Sequence, residues 1–317
     1  MGNRFLIVVI SVSFAMFIII AALSYKVISG PADNIGARPP RPAAKSAEEA
    51  APPKMAVKSF NQQDRESAIK NAESVITKYP DSPQAESSYF LLGDVYEKTG
   101  DSLKAKDAYQ NIIEKFPNSV NVSKAQEALD DLNIKILFSP LLNQDFLVYE
   151  VRKGDTISAL AKKFSTTADL ITKMNGLKDN IIRVGIKLKM PKAKFSIVID
   201  KSQNILTLKS DGEIIKTYKV STGKNSCTPV GNFTITNKIV DPPWYPSTGG
   251  VIKSGDPKNV LGSRWLGLSK PSYGIHGTIE PESIGRSVTE GCVRMKNSDV
   301  EELSVIVPEG TEVVIMD

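Results

Sequence analysis

Residues 195–223 read FSIVIDKSQNILTLKSDGEIIKTYKVSTG, and apolar and polar side chains alternate through three runs. Asp200 to Asn204 and Ser210 to Glu213 supply the turns, and Asp-Gly between alternating runs is a strong signal for a β-hairpin. Further strand-like runs follow at Gly231 to Ile235, Cys292 to Met295 and Glu312 to Met316. The pattern predicts a mainly antiparallel β domain over residues 194–317.

This predicted domain also carries the candidate chemistry of the chain. The only histidine, His276, precedes Cys292, one of two cysteines, by sixteen positions, and each lies beside a glycine, Gly277 or Gly291. A protonated imidazole close to a thiol raises the fraction of reactive thiolate. The spacing makes Cys292 a candidate nucleophile and His276 its candidate base, with the Gly277 carbonyl free to approach the ring. Arg294, two residues further along a strand, would share a face with Cys292 and could meet a carboxylate or a developing oxyanion.

Other interpretations of these residues stay open on spacing alone. A lone histidine is often structural, and free cysteines are commonly buried hydrophobic residues. Cys227 and Cys292 could instead pair in a disulfide that switches an enzyme off. A zinc site would need a carboxylate at unsupported spacing without an HExxH motif, and the absence of GxSxG disfavours a serine hydrolase.

Longer motifs in this region identify a family. Nearly all of residues 195–317 resembles the L,D-transpeptidase catalytic domain of the YkuD family. The stretches that carry the resemblance are STGKNSCTPVGNFTI, PPWYP, NVLGSRWLGL, YGIHGT, TEGCVRMKNSDVEEL and PEGTEVVI. The resemblance implies that Cys292 is the acyl-forming nucleophile, that His276 is base and acid, and that the Gly277 carbonyl orients His276, with no metal or organic cofactor. It also implies a substrate site lined by Thr289, Gly291 and Arg294, and by Trp244 and Tyr245 on the long loop between Asp241 and Ser263. Glu290 departs from the many members that carry a second histidine at this place, and we expect it to affect the pH dependence modestly.

A second module is predicted at residues 147–192. The segment from 148 to 191 shows a strand, two short amphipathic helices and a closing strand, and it contributes nine Lys or Arg against four Asp or Glu. This βααβ order, with VRKGDT and the Asn-Gly after the second helix, resembles a LysM domain. The resemblance implies binding of peptidoglycan through its N-acetylglucosamine-containing glycan, in a groove that would include Gly154, Asp155, Thr156, Asn175 and Ile181.

Residues 59–137 are predicted to be helical repeats. Apolar residues recur at intervals of three and four, and ITKYPDS at 76–82 returns as IEKFPNS at 113–119. This period resembles tetratricopeptide repeats, which implies a scaffold that binds a peptide or protein partner. A short helical spacer without a ligand is the alternative.

The N-terminal part is predicted to hold the chain at a membrane. Residues 5–23 are uncharged over nineteen positions, about the length that crosses a bilayer as a helix, so residues 1–28 are expected to be a transmembrane anchor. The Pro- and Ala-rich residues 29–58 are expected to form an extended linker. No basic helix with interleaved aromatics suggests nucleic acid as a partner.

Together these segments predict a multidomain protein: a transmembrane helix, α-helical tetratricopeptide-like repeats, a βααβ LysM domain and a mainly β catalytic domain. The predicted location is the bacterial cytoplasmic membrane, single-pass, with the catalytic part in the periplasm or cell wall space. The predicted function is peptidoglycan L,D-transpeptidation, which remodels the cell wall. An L,D-carboxypeptidase that releases D-Ala, or a wall-binding scaffold, remains the alternative.

Overall fold

The computed structural model describes residues 62–246 and 249–317, which lie within a compact unit spanning Lys58–Asp317. The helices described there are α1 (Gln62–Lys78), α2 (Pro83–Thr99), α3 (Ser102–Lys115), α4 (Val122–Leu137), α5 (Ile157–Lys163), α6 (Ala168–Met174) and α7 (Asn297–Ile306). The strands are β1 (Phe146–Glu150), β2 (Lys187–Pro191), β3 (Phe195–Asp200), β4 (Ile205–Ser210), β5 (Glu213–Lys219), β6 (Thr222–Gly223), β7 (Gly231–Val240), β8 (Arg264–Leu268), β9 (Gly274–His276), β10 (Ser287–Thr289), β11 (Val293–Arg294) and β12 (Glu312–Met316).

None of the helices within 62–246 and 249–317 has the length and apolar character needed to cross a membrane. The predicted anchor at residues 1–28 and the predicted linker at residues 29–58 lie outside the described part of the chain. Both therefore stay predictions.

Helices α1 to α4 confirm the helical character of the repeat region. α1 and α3 each end at a lysine directly before the repeated tyrosine or phenylalanine, proline and serine motif. The Ser82 hydroxyl accepts the Ala85 amide at 3.1 Å and begins α2, and Gly100 ends that helix with φ +83°. A Cβ at Gly93 would lie 2.5 Å from Cζ of Tyr109, so the glycine lets α2 and α3 approach closely.

The predicted βααβ module is also confirmed. β1 pairs antiparallel with β2, from Phe146 opposite Pro191 to Glu150 opposite Lys187. α5 and α6 pack on this pair through buried Ile157, Leu160 and Ile171. Since two strands alone make a poor core, the two helices supply most of the apolar surface that stabilises the module.

The catalytic region forms an eight-stranded sheet with the order β11-β9-β8-β7-β12-β3-β4-β5. Most neighbours are antiparallel as predicted, but β3 pairs parallel with β12 and β9 pairs parallel with β11. Two expectations need correction. Cys292 does not begin a strand, since β11 starts at Val293 and Cys292 lies in the preceding bend. α7, which packs on the sheet through Val300, Leu303 and Ile306, was not predicted.

Helix α4 docks on β5, the last strand of this sheet. The Asp130 carboxylate accepts the Thr217 amide at 2.8 Å, and the Asn133 side chain donates to the Ile215 carbonyl at 3.0 Å. Ile134 and Leu137 of α4 share one apolar core with strands of the catalytic sheet. The repeats and the catalytic sheet are therefore packed as one body in this unit.

Lys189 joins α4 to the βααβ module. Its Nζ donates to the carbonyls of Ile136 and Ser139, each at 2.8 Å, and lies 3.7 Å from the centre of the Phe146 ring. Burial lowers the pKa of Lys189 to about 8. The ammonium satisfies carbonyls that the end of α4 leaves without helical partners.

Candidate active site

His276 ends strand β9 and is almost fully buried, with 4% of its surface exposed. Its Nδ1 lies 2.7 Å from the Gly277 carbonyl oxygen. Because a carbonyl oxygen can only accept, Nδ1 must carry the proton, and Nε2 of the neutral ring is then free to accept one. The Gly277 carbonyl therefore defines the tautomer of the His276 ring.

The indole of Trp265 covers this imidazole. Trp265 and His276 are register partners on antiparallel β8 and β9, and their rings stack at 6.0 Å between centroids with 18° between planes. A Cβ at Gly274 would lie 2.6 Å from two indole carbons, so the indole also covers the glycine at the start of β9. Trp265 belongs to the NVLGSRWLGL stretch, but the sequence alone predicted no role for it.

Burial determines the protonation of His276. It lowers the pKa of His276 to about 4, an effect that the nearby Arg294 charge increases and that the Gly277 and Leu261 carbonyls oppose. Desolvation disfavours a charged ring, so the imidazole is neutral at neutral pH. A neutral ring does not raise the thiolate fraction of a nearby thiol as a charged one would.

Cys292 lies against the turn that leads into β9. Its Sγ is 3.7 Å from the Ser272 carbonyl oxygen, and the side chain is half-buried. Burial raises the pKa of the Cys292 thiol above its ordinary value, the Gly274 amide opposes this, and the neighbouring Cys227 adds to it. Cys292 is therefore a neutral thiol at rest, close to the strand that carries the neutral base.

Cys227, the second cysteine, contacts the bend that precedes Cys292. The two cysteines are free thiols, and Cys227 is exposed, with its Sγ 3.8 Å from the Thr289 carbonyl oxygen. A Cβ at Gly291 would lie 3.3 Å from the Cys227 carbonyl oxygen. The possible disulfide with Cys292 is not formed in this structure.

Thr289 and Gly291 shape the bend that presents Cys292. The Thr289 hydroxyl donates to the Cys292 carbonyl at 2.6 Å and accepts the Gly291 amide at 3.2 Å. Gly291 has φ +121°, and a Cβ there would lie 2.7 Å from the Tyr273 ring, so only glycine fits. Both residues were predicted to line the substrate site, and the structure gives each an internal contact that shapes the bend before Cys292.

Glu290 lies within this bend but points away from the buried groups. Its carboxylate is exposed and lies 3.4 Å from Nζ of Lys224. The groups that shift the pKa values of His276 and Cys292 do not include it.

Arg294 meets a carboxylate of the protein itself. Its Nη1 donates to Glu280 at 2.7 Å and to the Ser283 hydroxyl at 2.9 Å, and its side chain is only 13% exposed. Its Nε is buried without a partner. Arg294 is the register partner of His276 across the parallel strands, which explains its effect on the imidazole pKa. Sequence reasoning missed Glu280, because the pairing depends on the fold.

Trp244 and Tyr245 lie on the arm between β7 and β8, whose residues 247 and 248 are outside the described chain. Trp244 exchanges two backbone hydrogen bonds of 2.8 Å with Ile252, so the arm is more ordered than the sequence suggested. Tyr245 is 68% exposed. The contacts described for these two side chains do not join them to the cysteine and histidine, and their role in the substrate site stays a prediction.

Three of the predicted glycan-binding residues of the βααβ module, Asp155, Thr156 and Asn175, make hydrogen bonds within the module. The other two, Gly154 and Ile181, lie in a turn and a loop. Asp155 accepts the Arg152 amide at 2.7 Å, and the Thr156 hydroxyl begins α5 by accepting the Ala159 amide at 3.1 Å. Asn175 bonds both backbone groups of Lys189, which makes it a structural link to β2. Gly154, with φ +92°, forms the turn before α5, and Ile181, 75% exposed, offers free surface on the second loop.

Within residues 62–246 and 249–317, no group of three or more His, Cys, Asp or Glu is placed to hold a metal ion.

Three parts of the chain match models of known families. Residues 194–315 match the L,D-transpeptidase catalytic domain model, residues 149–191 match the LysM domain, and residues 54–82 and 87–119 match a tetratricopeptide repeat. Solved structures with partial similarity include an L,D-transpeptidase from Mycobacterium smegmatis, at 19% identity and a TM-score of 0.35 over 43% of this chain and 65% of that chain. The catalytic domain of the E. faecium L,D-transpeptidase has 23% identity and a TM-score of 0.33 over 39% of this chain and 98% of that chain.

Sequence relatives decide the family. A Bacillus licheniformis protein described as the putative L,D-transpeptidase YkuD is 36% identical over 177 residues, which cover 53% of this chain and 98% of the relative. The protein of the same description from Bacillus subtilis is 35% identical over 176 residues, with the same coverage. Because these relatives are matched over almost their entire length, through the LysM and catalytic regions whose geometry is given above, the chain belongs to the YkuD family of L,D-transpeptidases.

Proposed function

We propose that this protein is a peptidoglycan L,D-transpeptidase in which Cys292 is the nucleophile and His276 the base and acid. The observation that supports this most directly is the 2.7 Å bond from His276 Nδ1 to the Gly277 carbonyl. It leaves Nε2 as the free proton acceptor on a strand whose first residue adjoins the Cys292 sulfur. A nucleophile, a base and a group that orients the base are the parts that covalent catalysis requires.

The reaction starts from the neutral pair. Sulfur of Cys292 attacks the carbonyl carbon of the third residue of a tetrapeptide stem as the thiol proton moves to Nε2 of His276. The tetrahedral intermediate collapses when the imidazolium returns this proton to the departing D-Ala nitrogen and the C–N bond breaks. The product is a thioester on Cys292. An acceptor amine then attacks the thioester, gives its proton to Nε2 and releases the sulfur, which regains the proton.

Stabilisation of the oxyanion would depend on the bend at residues 289–292. The Gly291 amide is already bonded to the Thr289 hydroxyl, so it is not available to an oxyanion. The Cys292 amide is the donor that we propose for the oxyanion. One such donor is typically worth about 10²- to 10³-fold in kcat.

The remaining modules would bring this site to its substrate. LysM and L,D-transpeptidase domains both indicate peptidoglycan as the ligand, and we propose that the loop carrying Ile181 and the turn at Gly154 contact the glycan. Residues 5–23 would anchor the chain in the cytoplasmic membrane, with everything after them on the wall side. The faces of α1 to α3 that do not pack on the catalytic sheet would be available to a protein partner.

The test is mass spectrometry of the products formed from purified disaccharide-tetrapeptide by the full chain. Cys292→Ala is the inactive comparison, and Cys227→Ser is the matched control because it removes the exposed cysteine. Cross-linked dimers and free D-Ala from the wild type and Cys227→Ser, but not from Cys292→Ala, would support the proposal. Tripeptide without dimers would favour the carboxypeptidase, and unchanged substrate in all samples would favour the wall-binding scaffold.

A further inference from the structure

Asn297 holds the loop that follows His276. It is the first residue of α7, and its Oδ1 accepts the Thr278 amide at 3.0 Å and the Ser263 amide at 3.2 Å. Its Nδ2 donates to the Thr278 carbonyl at 2.9 Å. One side-chain amide thus bonds both backbone groups of Thr278 and ties them to the segment before β8.

The Thr278 amide is joined to the partner of the His276 ring through one peptide unit. It belongs to the same peptide unit as the Gly277 carbonyl, and that carbonyl is the partner of His276 Nδ1. A peptide unit is planar and trans, so its N–H and C=O point in opposite directions. Fixing the N–H towards Asn297 therefore fixes the C=O on the other side, towards the imidazole.

We infer that Asn297 is a positioning residue that sets the tautomer and the ring orientation of His276. It does so through the Gly277–Thr278 peptide unit, without touching the imidazole or the substrate. The inference rests on the proposed role of His276 as the base. It assigns to Asn297 a function that the sequence pattern did not suggest, since Asn297 follows the Cys-Val-Arg-Met motif and would otherwise be an ordinary helix start.

The two glycines around Asn297 support this role. A Cβ at Gly277 would lie 2.1 Å from Oδ1 of Asn297, and a Cβ at Gly262 would lie 2.2 Å from the same atom. Gly262 also has φ +64°, which favours glycine. The amide therefore fills space that both glycines leave open, and the backbone of the loop packs directly against it.

Loss of this contact would release the peptide unit. The Gly277–Thr278 unit could then rotate, and the carbonyl would leave Nδ1. A neutral ring without that acceptor can carry its proton on Nε2 instead, and a ring protonated there cannot take the thiol proton. The defect would lie in the chemical step rather than in substrate binding.

The single histidine makes a direct measurement possible. Nitrogen-15 NMR of the full chain with labelled histidine distinguishes protonation at Nδ1 from protonation at Nε2. We expect the wild type to show Nδ1–H, and Asn297→Ala to shift the ring towards Nε2–H. We expect kcat to fall on the order of 10²-fold with KM nearly unchanged, below the ~10⁴-fold loss when a triad base is held in the wrong tautomer.

Two further variants separate positioning from stability. Asn297→Asp keeps an acceptor for the two amides but loses the donor to the Thr278 carbonyl. Because the Thr278 amide alone fixes the peptide unit, this variant should keep the Nδ1–H tautomer and recover part of the lost kcat. Asn133→Ala is the matched control, since Asn133 is also an asparagine whose side chain bonds a backbone group, here the Ile215 carbonyl on the far strand β5. It should leave the tautomer and kcat unchanged even where it lowers stability.

The inference would be overturned if Asn297→Ala kept the Nδ1–H tautomer and the wild-type kcat. It would equally be overturned if Asn297→Asp moved the ring to the Nε2–H tautomer, and this measurement remains when Asn297→Ala does not fold. Failure of the proposed function is a separate outcome, in which the wild type forms no product. The tautomer measurement needs no substrate and still tests the role of Asn297 in that case.

Discussion

The single buried histidine predicts how the stability of the catalytic region depends on pH. His276 has a pKa of about 4 in the folded protein, against 6.5 for an unperturbed histidine. In the pH range between these values the unfolded chain binds a proton at this residue and the folded chain does not. Stability therefore falls as the pH is lowered through this range, and it is fully present above about pH 6.5.

The size of the effect follows from the two pKa values. Their difference corresponds to a total of roughly 3 kcal/mol, most of it lost by about pH 4. Between pH 7 and pH 5 the loss from this residue alone is about 2 kcal/mol. Carboxylates also titrate at acid pH, so the wild type alone would not isolate the contribution of His276.

His276→Gln removes the titration and leaves the carboxylates in place. The chain has two tryptophans, Trp244 and Trp265, and both belong to the catalytic region, so tryptophan fluorescence reports its unfolding in urea. This local probe is needed because a chain of several domains does not have to unfold in one step. The loss of unfolding free energy from pH 7 to pH 5 should be about 2 kcal/mol larger for the wild type than for His276→Gln. Equal losses in the two proteins would refute the reasoning.

Three further predictions concern the neighbours of the site and the helix that docks on the sheet. Trp265→Ala should hydrate the imidazole and raise its pKa from about 4 towards 6.5, so the acid limb of kcat/KM should move to higher pH; an unmoved limb would contradict this. Cys227→Ser should lower the pKa of Cys292, because the Cys227 charge raises it, and iodoacetamide should then modify Cys292 at lower pH than in the wild type. Asp130→Ala should leave a β5 amide without its acceptor and lower stability by about 1–3 kcal/mol, with faster hydrogen exchange in β5; unchanged exchange would count against it.

Local patterns predicted the elements that depend on neighbours in sequence. Alternation around the Asp211-Gly212 turn predicted the β4–β5 hairpin, and the residues after Gly154 predicted the helix that Thr156 begins. The pair of His276 and Cys292 came from a motif whose members are near in sequence. These features need no knowledge of distant parts of the chain, which is why sequence reasoning reached them.

Features that depend on distant contacts were not predicted. The parallel pairing of β9 with β11 brings Arg294 beside His276, and the Glu280 carboxylate reaches Arg294 only in the folded chain. The burial that makes the imidazole neutral depends on the stacked Trp265 from another strand. α7 was not predicted because its first residues are polar and follow closely after strand β11. No turn signal separates the two elements in the sequence.

The docking of α4 on β5 has a consequence for how this protein can be divided. The last strand of a sheet offers free amides and carbonyls that can pair with a strand of another molecule. Asp130 and Asn133 occupy one amide and one carbonyl of β5, and the body of the helix covers the strand. A catalytic domain produced without its repeats would expose this border and would tend to add strands from its own copies. Helix α4 therefore also covers part of a sheet border that would otherwise be open to another chain.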